Sequence, residues 1–145
     1  MDFIGTFYHQ LDDKNRIRIP AKFRSEMADG YVITRGNGGC LDVYPTAKFE
    51  QLKQKFKTVP QSNLVAQAVV KKITSSVQIP EEDKQGRFVL RNDLRALAGI
   101  NKNVVFIGVL DRVEIWDEDK WNSFMSDETN QSFDEAYQSL EQFGI

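Results

Sequence analysis

Two short runs in this chain place an aspartate four residues before an arginine, and an apolar strand follows each arginine. The first reads Asp12-Asp13-Lys14-Asn15-Arg16-Ile17-Arg18-Ile19-Pro20-Ala21-Lys22-Phe23-Arg24. The second, 71 residues on, reads Asp83-Lys84-Gln85-Gly86-Arg87-Phe88-Val89-Leu90-Arg91-Asn92-Asp93-Leu94-Arg95. Strand alternation puts Ile17 and Ile19 on one face and Arg16 and Arg18 on the other, with Lys14 in the preceding turn. Three cations on a rigid support suit phosphates and guanine edges, where a bidentate Arg–guanine contact discriminates by about 1–3 kcal/mol. The plainer reading is a solvated strand face with Asp12 and Arg16 paired at a turn, which adds little. Recurrence of the spacing favours function, and the roles coexist: an aspartate that fixes the turn, as Asp12 and Asp83 would with Gly86, also aims its arginine.

The copies differ. Val89 stands where Arg18 does, and Arg91 where Pro20 does. The first copy, with Lys14, Asn15, Arg16, Arg18 and Lys22, is therefore expected to carry more of any nucleic-acid contact. Lys84, Gln85 and Arg87 are secondary.

Other chemistry is sparsely provided for. His9 is the one histidine and Cys40 the one cysteine, so no His/Cys cluster has zinc spacing and no internal disulfide forms. Cys40 sits in an apolar run and reads as buried filler, and His9 as a structural residue or minor DNA contact. Gly36-Asn37-Gly38-Gly39 lacks the lysine and flanking pattern of a phosphate-binding loop and reads as a hairpin turn. Acids such as Glu81-Glu82-Asp83 and Asp117-Glu118-Asp119 read as turns and caps. An enzyme, a metal and a cofactor are not expected.

The elements that must hold the motifs also repeat, at an offset of 72. Val32-Ile33 matches Val104-Val105, Gly36 matches Gly108, Leu41-Asp42-Val43-Tyr44 matches Val113-Glu114-Ile115-Trp116, and Phe49 matches Trp121. The drift of one residue is what a single loop insertion produces, so the chain is internally duplicated. Each repeat predicts a short strand (17–19, 88–90), a brief helix (21–28, 92–98) ended by Gly30 or Gly99, and a hairpin (31–34 with 40–44, 104–108 with 112–116). A further helix follows each hairpin, with Thr46 or Asp117 as cap; Asn92 is the expected cap of the brief second helix. Residues 1–11, with Phe3, Phe7 and Leu11 on one parity, form a leading strand, matched by 77–80 in the second repeat. A linking helix over 62–76 turns Leu64, Val65, Ala68, Val69 and Ile73 inward. Tyr44, Phe49, Trp116 and Trp121 read as core or subunit-interface residues. Lys53, Lys55, Lys57, Lys71 and Lys72 read as a solvated face, with docking of a neighbour or of DNA the lesser alternative.

With 145 residues, 41% hydrophobic and 28% charged, the composition is that of a soluble globular protein. No run reaches the roughly 18 apolar residues of a membrane span. Met1-Asp2-Phe3-Ile4-Gly5 does not begin a signal peptide, so the cytoplasm is expected. A net charge of −2 argues against nucleic acid until its distribution is considered. The five acids after Trp121 leave 16 acids against 19 bases before it, a balance of +3.

At these residues the chain resembles the MraZ family of transcriptional regulators. The family's first motif, His-Ser-Leu-Asp-x-Lys-Gly-Arg followed by Ile/Leu-x-Ile-Pro-Ala-Lys-Phe-Arg, stands here as His9-Gln10-Leu11-Asp12-Asp13-Lys14-Asn15-Arg16-Ile17-Arg18-Ile19-Pro20-Ala21-Lys22-Phe23-Arg24. Thr34-Arg35-Gly36, Gly39-Cys40-Leu41, Tyr44-Pro45, Asp83-Lys84-Gln85-Gly86-Arg87 and Asp111-Arg112-Val113-Glu114-Ile115-Trp116 add to it. Asn15 replaces the usual glycine and tolerates left-handed backbone; Arg91 replaces the usual proline at the start of a helix. The resemblance covers residues 1 to about 121 and leaves the tail outside. It implies an α+β fold of two tandem AbrB-like swapped-hairpin modules, at 1–60 and 77–122, with a linking helix at 61–76 and an acidic tail at 123–145. It implies a ring-like homo-oligomer on the nucleoid that binds short direct repeats in double-stranded DNA upstream of its own cell-division and cell-wall genes, with no membrane or small-molecule partner. The alternative is an antitoxin whose tail binds a toxin.

Overall fold

The strands are rich in apolar residues, those over 31–35 and 103–110 bury successive residues on both faces, and most of the buried side chains share one core. A computed structural model describes residues 2–127 and 132–145. Its sheets are antiparallel and its helices short, an α+β fold. The larger sheet contains β1 (Phe3–Gln10), β3 (Tyr31–Arg35), β4 (Leu41–Pro45), β6 (Asn103–Leu110) and β7 (Val113–Asp117), in the order β1-β6-β7-β4-β3. The smaller ladder joins β2 (Arg16–Arg18) to β5 (Arg87–Val89).

Both ladders cross between the repeats. The leading strand β1 pairs with β6 of the second repeat along its whole length, from Phe3↔Leu110 to Gln10↔Asn103. Residue Gln78, in the matching segment of the second repeat, bridges back to Ile33 in β3. The hairpins β3–β4 and β6–β7 meet through β4 and β7, with Asp42 opposite Glu114. One face of this sheet and the apolar side of β2–β5 enclose a single core containing Ile17, Ile19, Phe88, Leu90, Phe106 and Ile115. A smaller cluster on the other face holds Cys40, Val105, Ile107 and Trp116.

Helices α1 (Ala21–Arg24) and α4 (Asn92–Ala98) follow β2 and β5 and bury Phe23 and Leu94. The predicted helix over 21–28 is divided, α1 giving way to a 3₁₀ turn at Ser25–Met27. Arg91 precedes α4 with φ −61° and ψ 142°, close to Pro20 before α1 at −50° and 137°. The arginine thus adopts the backbone its proline counterpart is locked into. Its guanidinium donates to the Ser76 and Val77 carbonyls at 2.9 Å each.

Three local expectations are corrected. Asn92 is the first helical residue and not the cap; its side chain accepts from Arg95. Pro45, not Thr46, occupies the cap of α2 (Thr46–Phe56). The largest correction concerns α3 (Leu64–Ser76), capped by Asn63. Of the expected inner face only Ile73 is covered: Leu64, Val65 and Val69 are 77%, 81% and 53% exposed, and Ala68 is exposed with them. The covered side runs through Ala66, Val70, Ile73 and Ser76, because Ser76 closes on β3, accepting the Arg35 amide at 2.8 Å.

Other expectations match. Asp117 caps α5 (Glu118–Ser126) by accepting the Lys120 amide. Gly30 and Gly99 take positive φ at the predicted stops. The matched pairs Tyr44–Phe49 and Trp116–Trp121 bring their rings within 6.2 and 5.4 Å. The tail carries α6 (Phe133–Tyr137), continued by 3₁₀ turns over Gln138–Phe143. No helix among the described residues is long and apolar enough to cross a membrane.

Candidate nucleic-acid interface

Each motif folds into the same turn. In the first copy Asp12 accepts the Lys14 amide at 3.0 Å and the Arg16 amide at 2.8 Å, while its second oxygen accepts Arg16 Nε at 2.7 Å. In the second, Asp83 accepts the Gln85 and Arg87 amides at 2.8 and 2.9 Å and Arg87 Nε at 3.0 Å. Asn15 at φ 59° and Gly86 at φ 78° occupy matching left-handed positions, which asparagine accepts and glycine takes freely. These hydrogen bonds, with the arginine amide foremost in each copy, hold both carboxyls below the ordinary aspartate range. Each Asp therefore stays ionised and holds its guanidinium by one edge.

The ladder then brings the two turns side by side. Register places Ile17 opposite Phe88 and Arg18 opposite Arg87. Ile17, Ile19, Phe88 and Leu90 are buried, while Arg18 is exposed and Arg16 and Arg87 are part-exposed. The Leu90 amide donates to the Asn15 carbonyl at 3.0 Å, tying the second strand to the first turn. Arg16, Arg18, Gln85 and Arg87 line a single open groove of about 290 Å³, together with His9 and Gln10. Burial lowers the His9 pKa below 6.5, which favours a neutral imidazole at neutral pH. Arg18 and Arg87 face each other across the ladder, with Asp83 against Arg87 and Asp12, which also lines the groove, against Arg16.

Not every predicted residue lines this groove. Lys14 and Lys84 are exposed in the turns beside it, and Lys22 lies exposed on α1. Asn15, Asp83 and Gly86 shape the turns.

A second network was not foreseen from the motifs. Arg24 donates to Glu82 through Nη2 at 2.6 Å and Nε at 3.2 Å, and Tyr31 Oη donates to Glu82 at 2.6 Å. Glu82 is held below the ordinary range first by Arg24. The closing arginine of the first motif is therefore joined to the residue preceding the second Asp. Recurrence of arginine at positions 24 and 95 was the available sequence signal, but its partner lies 58 residues away.

On the far face, Cys40, Asp42 and Glu114 bring a thiol and two carboxylates within 4.8 Å of one another, the one such grouping among the described residues. Arg112 occupies the cation's place there, 2.9 Å from Glu114 and 3.6 Å from Asp42. Burial, then Glu114, pushes Asp42 up to about 6. Burial likewise pushes the Cys40 thiol up, leaving it a poor nucleophile at neutral pH.

The duplication agrees with comparison to known proteins. A family model described as "MraZ protein, putative antitoxin-like" matches residues 3–72 and 76–143. The chain belongs to the MraZ family. It is 43% identical to the "Transcriptional regulator MraZ" of Clostridium beijerinckii over 143 residues, 99% of each chain. Those of Alkaliphilus metalliredigens and Clostridium botulinum are 38% and 40% identical over the same share. The MraZ match extends to residue 143, so the tail set apart on sequence grounds lies largely within it.

Proposed function

We propose that this protein is a sequence-specific transcriptional regulator that binds double-stranded DNA through the groove between its two Asp-x-x-x-Arg turns. The observation that carries the reading is the β2–β5 pairing, which gathers Arg16, Arg18 and Arg87 on one surface with two guanidinium groups braced by carboxylates. Bracing holds each guanidinium in place while leaving its remaining N–H groups for phosphate or a guanine edge. Names borne by its relatives support a regulatory role.

In this reading β1 on β6, and Gln78 on β3, are the exchanged strands of two AbrB-like swapped hairpins, intertwined as a pseudo-two-fold pair. One subunit offers few cations and binds weakly and in a salt-sensitive way. A ring-like homo-oligomer reading short direct repeats upstream of its own cell-division and cell-wall genes gains avidity, by about 10²–10⁴ per favourable linkage. Its place is then the cytoplasm, on the nucleoid.

A gel shift on the DNA upstream of the gene tests this. Arg16→Ala should weaken binding by roughly tenfold or more, the loss of one base-reading contact. Scrambling all but one DNA repeat should cost more than that substitution. Unchanged binding by the variant removes Arg16 from its central role, and equal affinity for single and multiple repeats removes the assembly from recognition.

A further inference from the structure

Two apolar surfaces that do not line the groove are open among the described residues, and their charges are opposite. The first is a cleft of about 620 Å³ between the β3–β4 hairpin and helices α2 and α3, lined by Leu52, Phe56, Val69, Lys72, Ile73 and Leu97. Exposed Leu64 and Val65 extend its apolar character along α3. Residues 46–76 hold six lysines and one glutamate, a net charge of +5. The second surface is the tail. Phe133, Tyr137, Phe143 and Ile145 are each more than half exposed, and residues 122–145 hold five acids and no base, a net charge of −5.

The tail's pattern suits a groove. Phe133 and Tyr137 stand at i and i+4 on α6, and Leu140 follows Tyr137 by three residues in the 3₁₀ turns, where residues three apart lie over one another, so the three can anchor on one side of an apolar groove. Their neighbours Asp134, Glu135 and Glu141 carry the negative charge. A ring of more than two subunits closes through heterologous contacts, in which each subunit presents two different, complementary patches. The lysine-flanked cleft and the acidic aromatic tail form such a pair.

We propose that the acidic tail of one subunit docks into the α2–α3 cleft of the next copy and closes the assembly. The inference rests on the ring-like oligomer proposed above. It assigns the lysines of α2 and α3 to steering a neighbour's tail rather than to DNA.

Sedimentation velocity on the full chain tests it. Phe133→Ser/Tyr137→Ser should reduce the wild-type assembly to smaller species. Lys71→Glu/Lys72→Glu and Asp134→Lys/Glu135→Lys should each do the same alone, and an equimolar mixture of these two should reassemble, because each supplies the partner the other needs. All six residues are exposed, so circular dichroism should show an unchanged fold. An assembled wild type with unaffected tail variants overturns tail docking alone, as does failure of the mixture to reassemble. A monomeric wild type at micromolar concentration overturns the ring and the docking with it.

Discussion

Asp12 carries a negative charge into a surface that is read here as binding a polyanion, so its effect on affinity separates two physical accounts. If recognition were only a count of charges, removing Asp12 would strengthen binding. The geometry argues the reverse, since one carboxylate accepts two turn amides and the Arg16 Nε. Without it the turn loosens and the guanidinium loses its fixed direction, which bidentate readout needs. Asp12→Ala should therefore weaken specific DNA binding about tenfold even though the protein becomes one unit more positive. A fluorescence anisotropy titration at fixed salt checks this; tighter binding would mean Arg16 acts as an unaimed charge.

Among the elements, the β1–β6 ladder holds the molecule's closest backbone approach to a glycine. A Cβ on Gly108 would lie 2.5 Å from the backbone of Phe3 and Ile4, where Gly5 and Gly108 face each other in register. Its counterpart Gly36 is crowded as well, by Cys40 and Asp42 at 2.8 Å. The coincidence of Gly36 and Gly108 in the repeat thus has a steric cause in both copies. Gly108→Ala must push β1 away from the sheet and should cost about 1–3 kcal/mol, the usual range for overpacking. Urea denaturation followed by circular dichroism would show it as a lowered midpoint; an unchanged midpoint would mean β1 is not held closely against β6.

For the whole molecule, the seam where the two hairpins meet is also a pH-sensitive point. Asp42 lies opposite Glu114 across β4 and β7, with Arg112, Tyr44 and Cys40 around it. Asp42 keeps its proton up to about pH 6, whereas an aspartate in the unfolded chain ordinarily releases it near 3.8. Between those values the native state binds more protons, so this group makes stability fall as pH rises from about 4 to about 6. The slope reaches at most about 1.4 kcal/mol per pH unit for a single proton. The braced carboxylates have the opposite sign: Asp12, Glu82, Asp83 and Asp93 are all lowered, so their contribution is lost only as pH falls below the ordinary carboxylate range. Asp42→Asn should flatten the pH 4–6 fall, read from denaturant midpoints across that range; an unaltered slope would place the proton on another group.

The duplication, the turn chemistry, the buried parity of both short strands and the outward set of arginines were legible in the residues alone. The turns, the parity and the arginines depend on neighbours within four or five positions, where backbone alternation and side-chain acceptors act, and the duplication is the recurrence of those local patterns about 71 residues on. Which strand pairs with which was not legible. That β1 crosses to β6, that β2 meets β5 so that both motifs share one groove, and that Arg24 reaches Glu82 all join residues more than 50 positions apart, and several pairings would satisfy the same apolar pattern. The buried side of α3 was misread for a related reason. Leu64, Val65 and Val69 form as good an apolar stripe as the one chosen, and only closure of Ser76 and Ile73 onto the rest of the fold decides which side is covered.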